Sequence, residues 1–312
     1  MKIGFLFPGQ GSQAVGMGKE LVEKYGVAQD IFARADQALG FSLTNLIFEG
    51  PEEELRKTTN TQPAILTTSI AALAVLEKEG LKPEMTAGHS LGEYSALVAA
   101  GVIAFEDAVQ LVRKRGAFMQ EAVPLGEGSM AAIMGMDRAA VVDICEQASA
   151  VGIVQAVNFN CPGQIVIAGA VKAVENAVEL LKNAGAKRAI MLPVSAPFHC
   201  TMMKPAAENL GRELEKVKFY DAKIPVVTNI NAKLLTDKDV IKAALVQQAA
   251  SPVLWEDCMK TMVQEGIQTF VEVGPGKVLG GFTKKINKDA VMLNVEDFNS
   301  LEKTLDYFKE VR

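Results

Sequence analysis

A chain of 312 residues is long enough for a large core and two domains. With 49% hydrophobic and 22% charged residues it reads as globular, and a net charge of −5 excludes a general nucleic-acid binder, which needs a basic surface.

Residues Ile3–Phe7 form a short, fully apolar run, as expected of a strand buried on both faces. No basic and apolar signal-peptide pattern precedes it. It ends in Pro8-Gly9-Gln10-Gly11-Ser12-Gln13, and a helical pattern resumes near Met17. The loop begins like a dinucleotide fingerprint, but Ala14 replaces the third glycine and no acidic strand end follows about 20 residues on. Neither Gly18-Lys19 nor Gly276-Lys277 completes a phosphate loop. The first loop is therefore expected to wall a site.

Asn60-Thr61-Gln62-Pro63 is expected to punctuate the chain before a helix that Gly80 stops. Its most apolar part, residues 63–76, is interrupted by Thr67, Thr68 and Ser69, so no membrane span is expected. A strand then leads into Gly88-His89-Ser90-Leu91-Gly92, and an Ala-rich helix follows. Strand, sharp turn and helix is the setting in which the serine of Gly-x-Ser-x-Gly becomes a nucleophile; an ordinary glycine-rich connection matches the same pattern. Helix Phe105–Glu121 carries Ala108, Leu111, Val112, Phe118 and Met119 on one face, and Arg115 shares it. A core-facing guanidinium costs several kcal/mol, roughly, unless something compensates it. An internal ion pair, snorkelling at the helix edge or an anionic ligand would each do so.

From Ser129 to Val194 the pattern changes: strand 130–134, helix Arg138–Ala148, strand 153–158, a turn at Asn160-Cys161-Pro162-Gly163, strand 164–168, helix 171–184 and strand 188–192. This βαββαβ order matches a ferredoxin-like unit. With crossovers near Pro124 and Ser195, it is expected to be a small domain, 125–195, inserted into a large one formed by 1–124 and 196–312. In the large domain a strand at 223–228, helices Lys238–Gln248 and 253–265, strand Thr269–Val273 and a last strand at 291–294 follow. The fold class is α/β: a large α/β-hydrolase-like domain with a mainly parallel sheet, plus the inserted domain.

A serine needs a base. Only His89 and His199 exist, and the turn should send the His89 ring away from Ser90, which leaves His199. No later histidine supplies the late Asp/Glu–His order of elbow hydrolases. A Ser–His dyad, its imidazole oriented by a backbone carbonyl or an amide, is expected. The four cysteines, Cys145, Cys161, Cys200 and Cys258, lack Cys-x-x-Cys spacing, so reduced thiols in a cytoplasmic protein are expected, without a metal site.

Taken together, Phe7-Pro8-Gly9-Gln10-Gly11-Ser12-Gln13, Thr61-Gln62-Pro63-Ala64, Gly88-His89-Ser90-Leu91-Gly92-Glu93-Tyr94, Arg115-Gly116, Asn158-Phe159-Asn160, Pro197-Phe198-His199 and Val273-Gly274-Pro275-Gly276 resemble malonyl-CoA:acyl carrier protein transacylases. The resemblance runs from residue 3 to about 283. It implies a malonyl group passed from malonyl-CoA through Ser90 to the pantetheine thiol of an acyl carrier protein, for fatty-acid or polyketide synthesis. His199 would be the base, the N–H groups of Gln10 and Leu91 the oxyanion hole, and Arg115 the grip on the malonyl carboxylate. The Gln248 carbonyl would orient His199, and Gln62 and Asn160 would line the pocket. No cofactor is implied, since the carrier brings its own phosphopantetheine. Phe198 departs from the small residue of many bacterial fatty-acid members and resembles malonyl-selective polyketide enzymes. Lys187-Arg188 and Lys284-Lys285 are candidate docking patches for an acidic carrier. A serine hydrolase and a carrier-binding protein without chemistry are the competing readings. Arg115 and the missing late acid–histidine pair weigh against the first, and the intact Ser90, His199 and Arg115 against the second.

Overall fold

The computed structural model describes residues 2–194 and 196–311; Ser195, at the expected second crossover, lies outside them. Among the described residues ten strands form two sheets: β1 (Ile3–Phe7), β2 (Met85–Gly88), β3 (Gly128–Met134), β4 (Val154–Cys161), β5 (Gln164–Ala170), β6 (Arg188–Met191), β7 (Val226–Val227), β8 (Leu234–Leu235), β9 (Thr269–Val273) and β10 (Val291–Val295).

The larger sheet has the order β10-β9-β1-β2-β7-β8 and is parallel except for β8. β1 explains why it is buried on both sides. Ile3, Phe5 and Phe7 enter one core with the helix Thr58–Lys78, while Leu6 joins Met262, Ile267 and Phe270 on the other. Alternate residues of a strand face opposite sides, so a wholly apolar strand needs two cores.

The antiparallel sheet has the order β4-β5-β3-β6, with helices Arg138–Ala148 and Val171–Asn183 supplying its apolar cover. This is the expected βαββαβ arrangement. Val253, expected inside a helix, instead pairs with this sheet: its N–H donates to Val157 O at 2.7 Å and its carbonyl accepts from Phe159 N at 3.0 Å. The helix there begins later, at Trp255.

Three local expectations are corrected. The helix Thr58–Lys78 runs through Asn60-Thr61-Gln62-Pro63. Pro63, inside the helix, removes the bond to the Thr59 carbonyl, and burial of 16 of the helix's 21 residues outweighs that loss. The strand expected at 223–228 shrinks to Val226–Val227, because Pro225 has no N–H to donate and Lys223 N bonds to Ala100 O. β4 extends to Cys161, leaving Pro162-Gly163 as the hairpin turn. Helices Gly26–Leu39, Lys204–Leu214, Val278–Ile286 and Phe298–Val311 were not anticipated. Among the described residues, no helix is long and apolar enough to cross a membrane.

Candidate active site

Gln10, Ser90 and Asn229 stand two or three residues past the carboxyl ends of the neighbouring parallel strands β1, β2 and β7. This crevice is where open α/β sheets place ligands.

Ser90 turns the chain from β2 into helix Leu91–Ala99 with φ 52° and ψ −105°. Both flanking glycines are required sterically. A Cβ on Gly88 would lie 1.9 Å from the Gly92 carbonyl carbon, and one on Gly92 would lie 2.0 Å from Phe7 O. Asn229 spans the turn: its Oδ1 accepts from Ser90 N at 2.7 Å and its Nδ2 donates to Gly88 O at 2.7 Å. Among the described residues only Ser90, His199 and Ala232 are non-glycines with positive φ. Two of these three are the residues the sequence proposes for chemistry, which is where stored backbone strain concentrates.

Ser90 Oγ lies 2.7 Å from His199 Nε2 and accepts from Arg115 Nη2 at 3.1 Å. His199 Nδ1 is 3.0 Å from the Gln248 carbonyl. A carbonyl only accepts, so Nδ1 carries the proton and Nε2 is left to accept from the hydroxyl. Burial, then the Arg115 charge, pushes the His199 pKa down to about 3, keeping the imidazole neutral near pH 7.

Arg115 is 1% exposed, on the core-facing side of helix Phe105–Glu121 as the spacing predicts. Nη1 donates to Gln62 Oε1 at 2.8 Å; Nη2 donates to Gln248 Oε1 at 3.0 Å as well as to Ser90. All three acceptors are neutral oxygens. Its guanidinium stands 5.4 Å from the Tyr94 ring centroid. Burial lowers its pKa, opposed by Tyr94 and Glu93, yet a guanidinium stays charged. The site thus presents a buried cation without a direct carboxylate partner, a socket for an anion.

Gln10, Gln62, Ser90, Leu91, Arg115, Phe198 and His199 all line one cavity of about 120 Å³, walled also by Met119 and Met130. The Leu91 N–H opens the serine helix, where first-turn N–H groups lack intrahelical acceptors. Asn160 lines instead an adjoining cavity of about 200 Å³ and bonds His89 Nε2 at 2.8 Å. His89 is also 5.5 Å from the Trp255 ring. Asn158 takes the position in the Ser90 cavity wall. Phe198 stands between that cavity and a larger one of about 690 Å³, lining both. Lys284 and Lys285 occupy the last turn of helix Val278–Ile286, whose Leu279 and Phe282 wall the Asn160 cavity; Lys187 precedes strand β6 and Arg188 opens it.

Sequence reasoning missed Asn229 and Glu93. Glu93 is 1% exposed, and its Oε2 accepts from Asn229 N at 3.1 Å and Gln248 Nε2 at 2.8 Å. Burial pushes its carboxyl up to about 7, against the two donors and Arg115, which hold it down. An acid in the first turn of an otherwise apolar helix was the available signal.

The acyl transferase domain family matches residues 4–299. The chain is 53% identical over 310 residues to the malonyl CoA-acyl carrier protein transacylase of Bacillus subtilis, covering 99% of this chain and 98% of that one. It is 54% identical to the Escherichia coli K12 protein of the same name over 283 residues, 90% of this chain and 92% of that one. Among solved structures, the Clostridium perfringens transacylase of that name superposes with a TM-score of 0.97 at 49% identity, covering 100% of this chain and 98% of the other. A malonyl-transacylase solved in complex with its type II PKS acyl-carrier protein gives 0.96 at 45% identity, covering 98% and 100%. With the strained serine, its histidine and the buried arginine in one cavity, and likeness along its whole length, the chain belongs to the acyl transferase family that includes the malonyl CoA-acyl carrier protein transacylases.

Proposed function

We propose that this chain transfers a malonyl group from malonyl-CoA to the pantetheine thiol of an acyl carrier protein through a malonyl ester on Ser90. The observation that carries the reading is Ser90 Oγ held between His199 Nε2 at 2.7 Å and Arg115 Nη2 at 3.1 Å. One contact readies the hydroxyl, and the other belongs to a cation suited to the far end of a malonyl unit.

Arg115 takes the malonyl carboxylate on its fork, which seats the thioester carbonyl at Ser90. The hydroxyl proton passes to His199 Nε2 as Oγ attacks. The oxyanion is received by the N–H groups of Gln10 and Leu91, each such donor being worth about 3–4 kcal/mol of barrier. Collapse breaks the C–S bond, and His199 returns the proton to the leaving CoA thiol. The carrier's thiol then enters, gives its proton to His199 and takes the malonyl group, restoring Ser90. Gln62 holds the other end of the Arg115 fork and Gln248 orients His199 through its carbonyl. Asn160 fixes His89 at the edge of the cavity.

No resident cofactor enters the reading, and the carrier's phosphopantetheine is substrate. The malonyl thioester serves chain extension in fatty-acid or polyketide synthesis. A cytoplasmic location is supported by four buried free cysteines. The ring of Phe198, in the cavity wall beside His199, would crowd a substituent on C2 of the acyl unit, so malonyl-CoA is preferred to methylmalonyl-CoA; equal kcat/KM for the two esters would remove that preference. Docking of the acidic carrier is assigned to Lys284-Lys285 or Lys187-Arg188. Charge reversal at either is expected to raise the carrier KM, and an unchanged KM at both would exclude them.

The test is mass spectrometry of the protein mixed with malonyl-CoA, then with holo-carrier. Wild type is expected to gain a malonyl adduct that moves to the carrier, and Ser90→Ala to gain none. A wild type without adduct, or one that yields only free malonate in the presence of carrier, overturns the reading.

A further inference from the structure

One buried carboxylate stands behind all three reacting groups. Glu93 Oε2 accepts from two donors, Asn229 N at 3.1 Å and Gln248 Nε2 at 2.8 Å. Each donor is one further contact from the chemistry. The Asn229 side chain holds both sides of the serine turn, at Gly88 O and Ser90 N. Gln248 places Oε1 3.0 Å from Arg115 Nη2, donates from Nε2 to Ser90 O at 2.9 Å, and presents its backbone carbonyl to His199. Neither Glu93 nor Gln248 is part of the wall of the Ser90 cavity.

A glutamine amide has two ends of nearly equal shape and opposite character. With Oε1 toward Arg115 the contact attracts; with Nε2 there, two donors would oppose each other and turn the guanidinium aside. An ionised carboxylate offers no proton, so at pH 8 Glu93 accepts only the Nε2 end and, together with the Ser90 carbonyl, selects the attractive orientation.

We propose that Glu93 is a positioning residue for substrate selection: by fixing which end of the Gln248 amide faces Arg115, it keeps the guanidinium aimed at the carboxylate of the incoming acyl group. The inference rests on the malonyl-transfer reading above. It also separates Glu93 from an ordinary buried acid. A purely structural role would alter stability, or the loading of malonyl and acetyl groups alike, whereas an orienting role acts on the malonyl carboxylate alone.

The experiment measures Ser90 acylation by malonyl-CoA and by acetyl-CoA at pH 8 in wild type, Glu93→Gln, Glu93→Ala, Gln248→Ala and the double alanine variant. Gln248→Ala keeps the backbone carbonyl on His199. In Glu93→Gln, the fixed Asn229 N–H requires an oxygen opposite it, so the same oxygen still receives Gln248 Nε2. That variant is expected to stay within about threefold of wild type. Glu93→Ala and Gln248→Ala are expected to raise the malonyl-CoA KM about tenfold with a smaller change in kcat, and, whatever loss they cause for both esters, to lower malonyl-CoA kcat/KM about tenfold more than acetyl-CoA kcat/KM. In malonyl over acetyl selectivity the double variant is expected to be no worse than Gln248→Ala, since Glu93 acts on Arg115 through that amide. A wild-type malonyl/acetyl ratio in either alanine variant, multiplicative losses of that selectivity in the double variant, or a tenfold loss of discrimination in Glu93→Gln overturns the proposal. Should Glu93→Ala not fold, Gln248→Ala and Glu93→Gln decide it by the same ratios. Absence of malonyl-Ser90 in wild type would instead overturn the reading of the function, so the two failures are distinct.

Discussion

Arg115 Nη2 donates to Ser90 Oγ across 3.1 Å, so the buried cation and the serine hydroxyl are joined directly. In the proposed reaction an arriving malonyl carboxylate takes over part of the fork while the hydroxyl stays within reach of His199. On that proposal, selection of the acyl group and readiness of the serine share one side chain.

Replacing that side chain separates the two. Lysine offers a point charge without the planar fork and cannot hold Gln62 and Gln248 in the same way. Arg115→Lys is expected to lower malonyl-CoA kcat/KM about 100-fold, the worth of about two charge-assisted hydrogen bonds, while acetyl-CoA changes by less than about fivefold. Steady-state transfer to a carrier from each ester checks it.

The pH dependence follows from His199. A base works in its neutral form, which exists above its pKa, and burial with the Arg115 charge has moved that pKa from the usual 6.5 to about 3. An unperturbed histidine would lose about tenfold in neutral fraction between pH 7.5 and 5.5. Single-turnover acylation is expected to fall by less than about threefold over that range. Histidine-like titration near 6.5 in the rate would contradict the burial of this base. His199→Ala is expected to cost about 10²–10⁴ at any pH.

Away from the site, Glu272 sets a pH dependence of stability. Its carboxyl, almost fully buried, accepts from Leu279 N at 3.1 Å and Gly280 N at 2.8 Å at the start of helix Val278–Ile286. Burial raises its pKa from 4.5 to about 7, with the Glu296 charge adding to the rise. Between those values the folded state holds a proton that the unfolded chain has released. Stability is therefore present below 4.5 and is lost as pH rises through about 7, by up to about 1.4 kcal/mol per pH unit. Glu272→Gln lacks that loss. Urea unfolding at pH 5.5 and pH 8 is expected to show the gap between wild type and variant shifting toward the variant at the higher pH; a constant gap would refute it.

Glycines give a paired prediction. Gly92→Ala puts a methyl 2.0 Å from Phe7 O, a backbone atom that cannot swing aside, so a loss of about 3 kcal/mol or more and collapse of Ser90 acylation are expected. Gly281→Ala, in the helix Val278–Ile286 with nothing within 4 Å of the new Cβ, is expected to stabilise by about 0.5–1 kcal/mol. Thermal unfolding of both, with acylation of the first, measures the contrast.

Much of the site was legible because its signals are local. The small residues on either side of Ser90 mark the turn, and the three- and four-residue spacing around Arg115 puts it on the buried face of its helix. Elimination among two histidines selected His199. Assigning the His199 contact to the Gln248 carbonyl needed the resemblance to a family, since no spacing in the chain relates the two residues.

Glu93 and Asn229 stayed hidden for a physical reason. Their hydrogen bonds to the site join residues 136 to 155 positions apart, and a buried acid's partners are chosen by which strand ends the sheet brings together. Pro63 shows the same limit at the level of the fold, where burial carried a helix through a residue that locally argues for its boundary. Composition, periodicity and turn chemistry, which act between near neighbours, determined the α/β class, the serine turn and the cation's buried face. Packing of β2, β7 and the helix Lys238–Gln248 decided which carboxylate and which amides surround them, because those contacts exist only once distant segments share one dry crevice.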